Sequence, residues 1–145
     1  MSVVQVPISV VLRSEYWKDP PSAIVTIDQM EVIYDGVIDG EVIVSQTYSF
    51  GETKGEHRIE VTLYNKDSSV QTVVAPDGTV LKDQMLYVED IIICGLNLEQ
   101  YHYGISRYVR DYDKAEFTNT ITLPWNGTWS MPFTTPIYPW LVKHL

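Results

Sequence analysis

Carboxylates are the most numerous groups in this chain that could take part in chemistry. The 145 residues include 19 Asp and Glu against 10 Lys and Arg. Ca²⁺ takes its oxygen ligands from carboxylates and loop carbonyls, and one segment with turn signals carries several acids. They are Asp67, Asp77, Asp83, Glu89 and Asp90. Their spacing is not that of an EF-hand, and the alternative to a calcium site is a solvated acidic edge that discourages sheets from aggregating.

The residue types of nucleophilic catalysis occur without a recognised motif. The sequence contains no G-x-S-x-G motif and no pair of His or Cys residues with the spacing of zinc ligands. We therefore expect ordinary surface histidines at His57, His102 and His144. The single Cys94 follows three isoleucines, which predicts a buried and inert thiol. Paired carboxylates could hydrolyse a glycoside, but among 19 acids such pairs arise by chance. The sequence therefore predicts a protein that is not an enzyme.

Aromatic side chains form the other group with binding chemistry. The chain has 10 Tyr, 4 Trp and 3 Phe, whose flat faces can stack on sugars. Four tyrosines cluster in the segment Glu99–Asp113, which lacks periodicity and is predicted to be a loop or a short helix. This candidate stacking set is Tyr101, Tyr103, Tyr108 and Tyr112. The alternative is that these rings cap the open end of the core.

Apolar residues recur at every second position along almost the whole chain, which predicts strands. In His57–Asn65 the residues Ile59, Val61 and Leu63 alternate with polar ones, so one face should meet a core. Turn residues separate the strands, and Pro76-Asp77-Gly78 and Asn126-Gly127 each predict a hairpin. The predicted strands are Val3–Leu12, Ala23–Ile27, Met30–Tyr34, Glu41–Phe50, His57–Asn65, Thr72–Val74, Thr79–Leu81, Leu86–Cys94, Phe117–Leu123 and Thr128–Phe133.

Many short strands with such turns predict an all-β fold, an antiparallel, jelly-roll-like β-sandwich. We expect one domain over residues 1–145 with a C-terminal arm at about 134–145. The net charge of −9 repels nucleic acid and anionic lipid. No apolar run is long enough for a membrane span, and the first residues lack the features of a leader. A soluble protein with neither a nucleic-acid nor a membrane partner is expected.

The central segment carries a first resemblance. GEHRIEVTLYNKD (Gly55–Asp67) followed by KDQMLYVEDIIICG (Lys82–Gly95) is similar to the calcium-dependent xylan-binding modules. Asn65, Asp83 and Gly95 match the Asn, the first Asp and the closing Gly of that pattern, whereas the Arg and Asn of the pattern are Gln84 and Met85 here. This resemblance implies a non-catalytic carbohydrate-binding module used for adhesion to a host surface. It would bind a glycan on the four tyrosines, with Asp67 and Asp83 near a calcium ion.

The C-terminal segment carries a second resemblance. NGTWSMPFTTPIYPWLVKHL, taken with the middle of the chain, looks like small β-sandwich virion proteins of tailed phages. This resemblance implies a multi-copy or homo-oligomeric capsid decoration or tail or fibre protein, made in the host cytoplasm and located in the virion with other virion proteins. Its subunit contacts would use Tyr138, Trp140 and Leu141. A structural virion component is the leading hypothesis, and the carbohydrate-binding module is the alternative.

Overall fold

The computed structural model describes residues 4–29, 31–50, 55–98, 105–135 and 137–143; the side chains of residues 4, 48–50, 138, 141 and 143 are not described. Two short helices are described, α1 (Ser68–Gln71) and α2 (Ile137–Lys143). The strands are β1 (Val4–Glu15), β2 (Ser22–Ile27), β3 (Glu31–Val37), β4 (Glu41–Phe50), β5 (Gly55–Tyr64), β6 (Val73–Val74), β7 (Val80–Lys82), β8 (Met85–Ile93), β9 (Leu96–Asn97), β10 (Arg107–Arg110), β11 (Glu116–Thr118), β12 (Thr122–Leu123) and β13 (Gly127–Thr135). None of the helices described is long and apolar enough to span a membrane.

The strands form two main antiparallel sheets. Sheet A has the order β12-β8-β1-β4, with β9 paired to β8, and sheet B has the order β11-β10-β13-β5-β2-β3. A separate ribbon joins β6 to β7. The predicted all-β, jelly-roll-like sandwich is therefore confirmed.

The core lies between the inward faces of the two sheets. Ile59, Val61 and Leu63 of β5 are fully buried, as their alternation predicts. Trp129 and Phe133 of β13 are fully buried beside them, and strands β5 and β13 pair along their length. Because burying large apolar side chains is the main driving force of folding, this strand pair is the centre of the fold.

Strand β10 was not predicted, because the segment Glu99–Asp113 was interpreted as a loop or a short helix. Four residues are too few to show a two-residue period, yet Tyr108 of β10 is buried and the strand pairs with both β11 and β13. The predicted strand Phe117–Leu123 is also wrong in part. The chain turns at Asn119, where φ is +58°, and continues as β12 in the other sheet.

The two predicted hairpins have different outcomes. Pro76-Asp77-Gly78 does join β6 to β7, with Gly78 at φ +92° and the Asp77 carboxylate accepting the Thr79 N–H at 2.9 Å. Asn126-Gly127 makes no hairpin, since β12 belongs to sheet A and β13 to sheet B. This turn residue pair carries the chain from one sheet to the other.

The expected C-terminal arm begins inside strand β13. The strand extends to Thr135, and helix α2 follows with Ile137 3% and Trp140 6% exposed, both in the main core cluster. Trp140 is thus packed against its own chain, which leaves little of its surface for another molecule. The side chains of Tyr138 and Leu141 lie outside the described residues. Subunit contact through these three residues stays a prediction.

Candidate functional site

A cleft of about 330 Å³ lies at one end of the sandwich, where the loops after β5 and β10 meet the loop before β13. It combines aromatic rings with hydrogen-bonding groups. The lining residues are Lys66, Ser68, Asp111, Tyr112, Trp125 and Asn126. We refer to it as the aromatic cleft.

The Arg110 guanidinium joins the rings around the aromatic cleft. Its Cζ lies 4.4 Å from the centroid of the Tyr112 ring, 4.4 Å from that of Trp125 and 5.3 Å from that of Phe117. The rings of Phe117 and Trp125 stack with their centroids 5.5 Å apart. A cation is attracted to the faces of such rings, so Arg110 holds them together. Tyr112 still has 72% of its surface exposed and presents a ring to solvent.

Asp113 fixes the orientation of Arg110. Its two carboxylate oxygens accept hydrogen bonds from Nε at 2.9 Å and Nη2 at 2.5 Å, and Oδ1 also accepts the Ala115 N–H at 3.0 Å. The bond to Arg110, followed by that to Ala115, lowers the pKa of Asp113 to about 2. The pair therefore stays charged far below neutral pH. A bidentate pair of this kind restricts the guanidinium to one plane.

Tyr108 supports the aromatic cleft from within the core. Its side chain is 1% exposed, its hydroxyl donates to the carbonyl of Trp125, and the same hydroxyl accepts the Trp125 N–H at 3.3 Å. Burial raises the pKa of Tyr108 to about 12, so the hydroxyl remains a donor at neutral pH. A buried ring has no face to offer a ligand. Tyr108 is consequently a core residue that positions Trp125, which corrects its assignment to the stacking set.

Asn126 connects the loops that line the aromatic cleft. Its Oδ1 accepts the Lys66 N–H at 2.9 Å, and its Nδ2 donates to the Lys66 carbonyl at 2.9 Å. Its own carbonyl accepts the Asp111 N–H at 2.9 Å. The Asn126 side chain thus satisfies the main-chain N–H and carbonyl of Lys66, as a neighbouring strand would.

The Lys66 ammonium lies among three oxygen atoms, which we call the lysine cage. Nζ donates to Asp83 Oδ1 at 2.7 Å, to the Gln84 carbonyl at 2.8 Å and to the Pro124 carbonyl. The side chain is 2% exposed. Asp83 Oδ1 also accepts the Thr72 hydroxyl at 2.7 Å. The cage ties the end of β5 in sheet B to the segments before β8 and after β12 in sheet A.

The two predicted calcium ligands have different partners. Asp67 caps the first turn of α1, where its Oδ1 accepts the Ser69 N–H at 3.0 Å and the Ser69 hydroxyl at 2.5 Å. Asp83 belongs to the lysine cage. Within the residues that the structure describes, no group of three or more His, Cys, Asp or Glu side chains is placed to hold a metal ion. Calcium at Asp67 and Asp83 stays a prediction.

A larger cleft of about 600 Å³ lies near the opposite end of β5. There His57 Nδ1 lies 2.8 Å from Asp28 Oδ2, and His57 Nε2 lies 3.5 Å from the Thr135 hydroxyl. The order of groups is that of a nucleophilic triad, but Thr135 is only 3% exposed. His57 itself is 7% exposed, so its interpretation as a surface histidine is wrong. It lies on the same inward face of β5 as Ile59, two residues along.

The other predicted residues are distributed as follows. Tyr101, Tyr103, His102 and His144 lie outside the described residues. Cys94 is half-buried at φ +52°, and burial raises the pKa of its thiol, which keeps it protonated. The sequence did not single out Arg110 or Asp113. Their spacing of three residues, with Tyr112 between them, is the signal that could have identified them.

Comparisons with known proteins identify solved structures with a similar fold. No family model matches the chain, and no curated protein does. One solved structure that is similar is the selenomethionine form of vCBM60, described under a circular permutation that links two families of calcium-dependent carbohydrate-binding modules. It is 16% identical, with 87% of this chain and 89% of that chain covered and a TM-score of 0.53. The chain has the fold of these modules. A second solved structure, vCBM60 in complex with galactobiose, is 16% identical over 86% of this chain and 96% of that chain, with a TM-score of 0.50.

These comparisons overturn the leading hypothesis from the sequence. A structural virion component was expected from the C-terminal segment, but the similar solved structures are carbohydrate-binding modules. The segment that suggested the virion proteins includes strand β13 and helix α2, from which Trp129, Met131, Phe133, Ile137 and Trp140 pack into the core of the sandwich. Folding therefore explains these five buried side chains. The expected virion partners and oligomer have no support in the comparisons, and nothing tests the expected virion location.

Proposed function

We propose that this chain is a carbohydrate-binding module that holds a glycan in the aromatic cleft without catalysing a reaction. The observation that carries the proposal is the exposed ring of Tyr112 beside Trp125, with both rings fixed by one guanidinium. A sugar ring presents C–H groups on its faces and hydroxyls on its rim. It needs a flat apolar surface flanked by hydrogen-bonding groups, and this cleft offers both.

The polar groups of the cleft suit the rim of a sugar. Asp111 and Ser68 line the cleft and are exposed, which leaves a carboxylate and a hydroxyl to bond to sugar hydroxyls. Arg110 is held by Asp113 and the rings, and the Lys66 ammonium is buried in its cage. The charge available to a ligand is therefore negative. Together with the net charge of −9, this favours a neutral glycan over an acidic one.

The similar solved structures support the class of ligand. One of them is a complex with galactobiose, and the sequence resemblance points to xylan. We therefore propose neutral galactose- or xylose-based oligosaccharides as the first ligands to test. The calcium-dependence described for the similar modules makes the effect of Ca²⁺ on this chain a necessary part of the same test.

Replacing the exposed ring of the cleft is expected to remove binding without harming the fold. Tyr112→Ala should weaken glycan binding by about tenfold or more, since losing one stacking ring costs roughly 1.4 kcal/mol or more. The matched control is Tyr16→Ala, another exposed tyrosine, whose hydroxyl bonds to Asp39 away from the cleft. Isothermal titration with galactobiose and xylo-oligosaccharides measures both variants. Equal loss in both variants, or none in either, would contradict the cleft as the site.

The pH dependence of binding follows from the ion pair that fixes Arg110. The folded pKa of Asp113 is about 2 against an ordinary value of 3.8. A lowered pKa means that the pair stabilises the cleft fully above the ordinary value and loses that effect as the pH falls towards 2. Glycan affinity should therefore be constant from neutral pH to about pH 4 and decline below it. Titrations at several pH values test this; a decline centred near pH 6 would point to a histidine instead.

A further inference from the structure

The lysine cage has the composition of a cation site. Its acceptors are one carboxylate oxygen and two main-chain carbonyl oxygens, which come from Asp83, Gln84 and Pro124. Carboxylates and main-chain carbonyls are also the oxygen donors that Ca²⁺ prefers. In this chain the cation among them is an ammonium with three N–H donors, one for each oxygen.

The residues therefore do not fit a calcium ion at this place. A divalent ion bound by the same oxygens would lie against the Lys66 ammonium, and a buried lysine side chain that is 2% exposed cannot swing into water without leaving the core. Asp83 is committed further, because its Oδ1 also accepts the Thr72 hydroxyl and the Gln84 N–H, at 2.7 Å and 2.8 Å. The oxygen donors are occupied by groups of the protein itself.

The position of the cage next to the aromatic cleft gives the Lys66 ammonium a structural role. Asn126 lines that cleft, and its side chain bonds to both the N–H and the carbonyl of Lys66. Pro124, a cage ligand through its carbonyl, directly precedes Trp125. A cation in the cage thus fixes the loop that carries the aromatic wall of the cleft.

We propose that the Lys66 ammonium takes the place of a metal ion in this chain, so that the cleft end of the sandwich is held together without calcium. The stability part of this inference stands on the cage alone. Only its consequence, a glycan affinity that does not depend on calcium, rests on the proposed function.

Thermal unfolding of the full chain tests the inference. The midpoint of the parent protein should be the same in CaCl₂ and in a chelator. Lys66→Met should lower it by about 8 °C, because the change leaves the half-buried Asp83 carboxylate and the two main-chain carbonyls of the cage without their cation. The matched control, Lys18→Met, removes an exposed lysine charge and should leave the midpoint within about 1 °C of the parent.

Two results would overturn the inference: a parent midpoint that rises with Ca²⁺ and falls with chelator, or equal midpoints for the two lysine variants. If Lys66→Met does not fold, the calcium response of the parent decides. Glycan titration of the parent with and without chelator separates the two proposals. If the stability of the parent does not respond to calcium and the parent binds no glycan, the inference about Lys66 stands and the proposed function is rejected. If glycan binding depends on calcium, the inference that the Lys66 ammonium replaces a metal ion is rejected.

Discussion

Gly127→Ala is expected to lower the free energy of unfolding by about 3 kcal/mol or more and to weaken glycan binding. An added Cβ would lie 2.3 Å from the Val109 carbonyl oxygen and 3.2 Å from Tyr108 Cζ. Main-chain atoms cannot turn away as a flexible side chain can, so β10 must separate from β13. Tyr108 and Trp125 would shift with it, and the aromatic cleft with them. Chemical denaturation measures the stability of the variant.

Gly36→Ala is the matched control for this change. Gly36 also lies in a strand of sheet B and also has an ordinary φ, but the nearest atom to its added Cβ would be Tyr34 Oη at 3.5 Å. That is normal contact, so we expect a change within about 0.5 kcal/mol, or a slight gain from reduced chain entropy. Similar stabilities for the two alanine variants would contradict the close approach of the Val109 carbonyl to Gly127.

Trp129→Ala is expected to cost about 4 kcal/mol of folding free energy. The ring is fully buried at the centre of β13, and its Nε1 donates to the Thr120 carbonyl at 3.0 Å. The variant leaves a large cavity in the core. Because β13 pairs with both β5 and β10, sheet B loses its central contact. The expected result is a fall in the unfolding midpoint of about 10 °C.

Trp17→Ala serves as the control for the tryptophan at position 129. Trp17 likewise donates its indole N–H to a main-chain carbonyl, that of Gln71, at 3.0 Å, but 43% of its surface is exposed. Its removal should cost about 1 kcal/mol, since the hydrogen bond is similar and the buried area much smaller. The difference between the two variants isolates the contribution of core packing. A cost at Trp17 as large as at Trp129 would contradict the core described for sheet B.

The sequence predicted the fold where its pattern was long enough to be unambiguous. Strand β5 shows three inward apolar residues in alternation, and the structure buries all three. Strand β10 has four residues and two arginines, which no periodicity can distinguish from a loop. His57 was expected on the surface because it belongs to no nucleophile or zinc motif, although it lies two residues before Ile59 and so on the same face of the strand. The position in the alternation was the better guide to its burial.

The site was harder to predict because it is assembled across the two sheets. Tyr112 was selected from the sequence as a stacking residue, and it is the exposed ring of the aromatic cleft. Asn126 was interpreted as a hairpin residue, since the sequence does not show that the loop before β13 lies against the loop after β5. Lys66 was passed over for a similar reason. Its partners Asp83 and Pro124 are far away along the chain and meet it only in the folded protein.

Nuclear magnetic resonance of the isotopically labelled chain tests most directly whether a glycan occupies the aromatic cleft. Titration with galactobiose or a xylo-oligosaccharide should shift the Tyr112 amide, the Trp125 indole and the Asn126 side-chain amide, while signals from the cleft around Asp28 and His57 stay in place. Shifts confined to that second cleft, or a spectrum that no neutral oligosaccharide changes, would contradict glycan binding in the aromatic cleft.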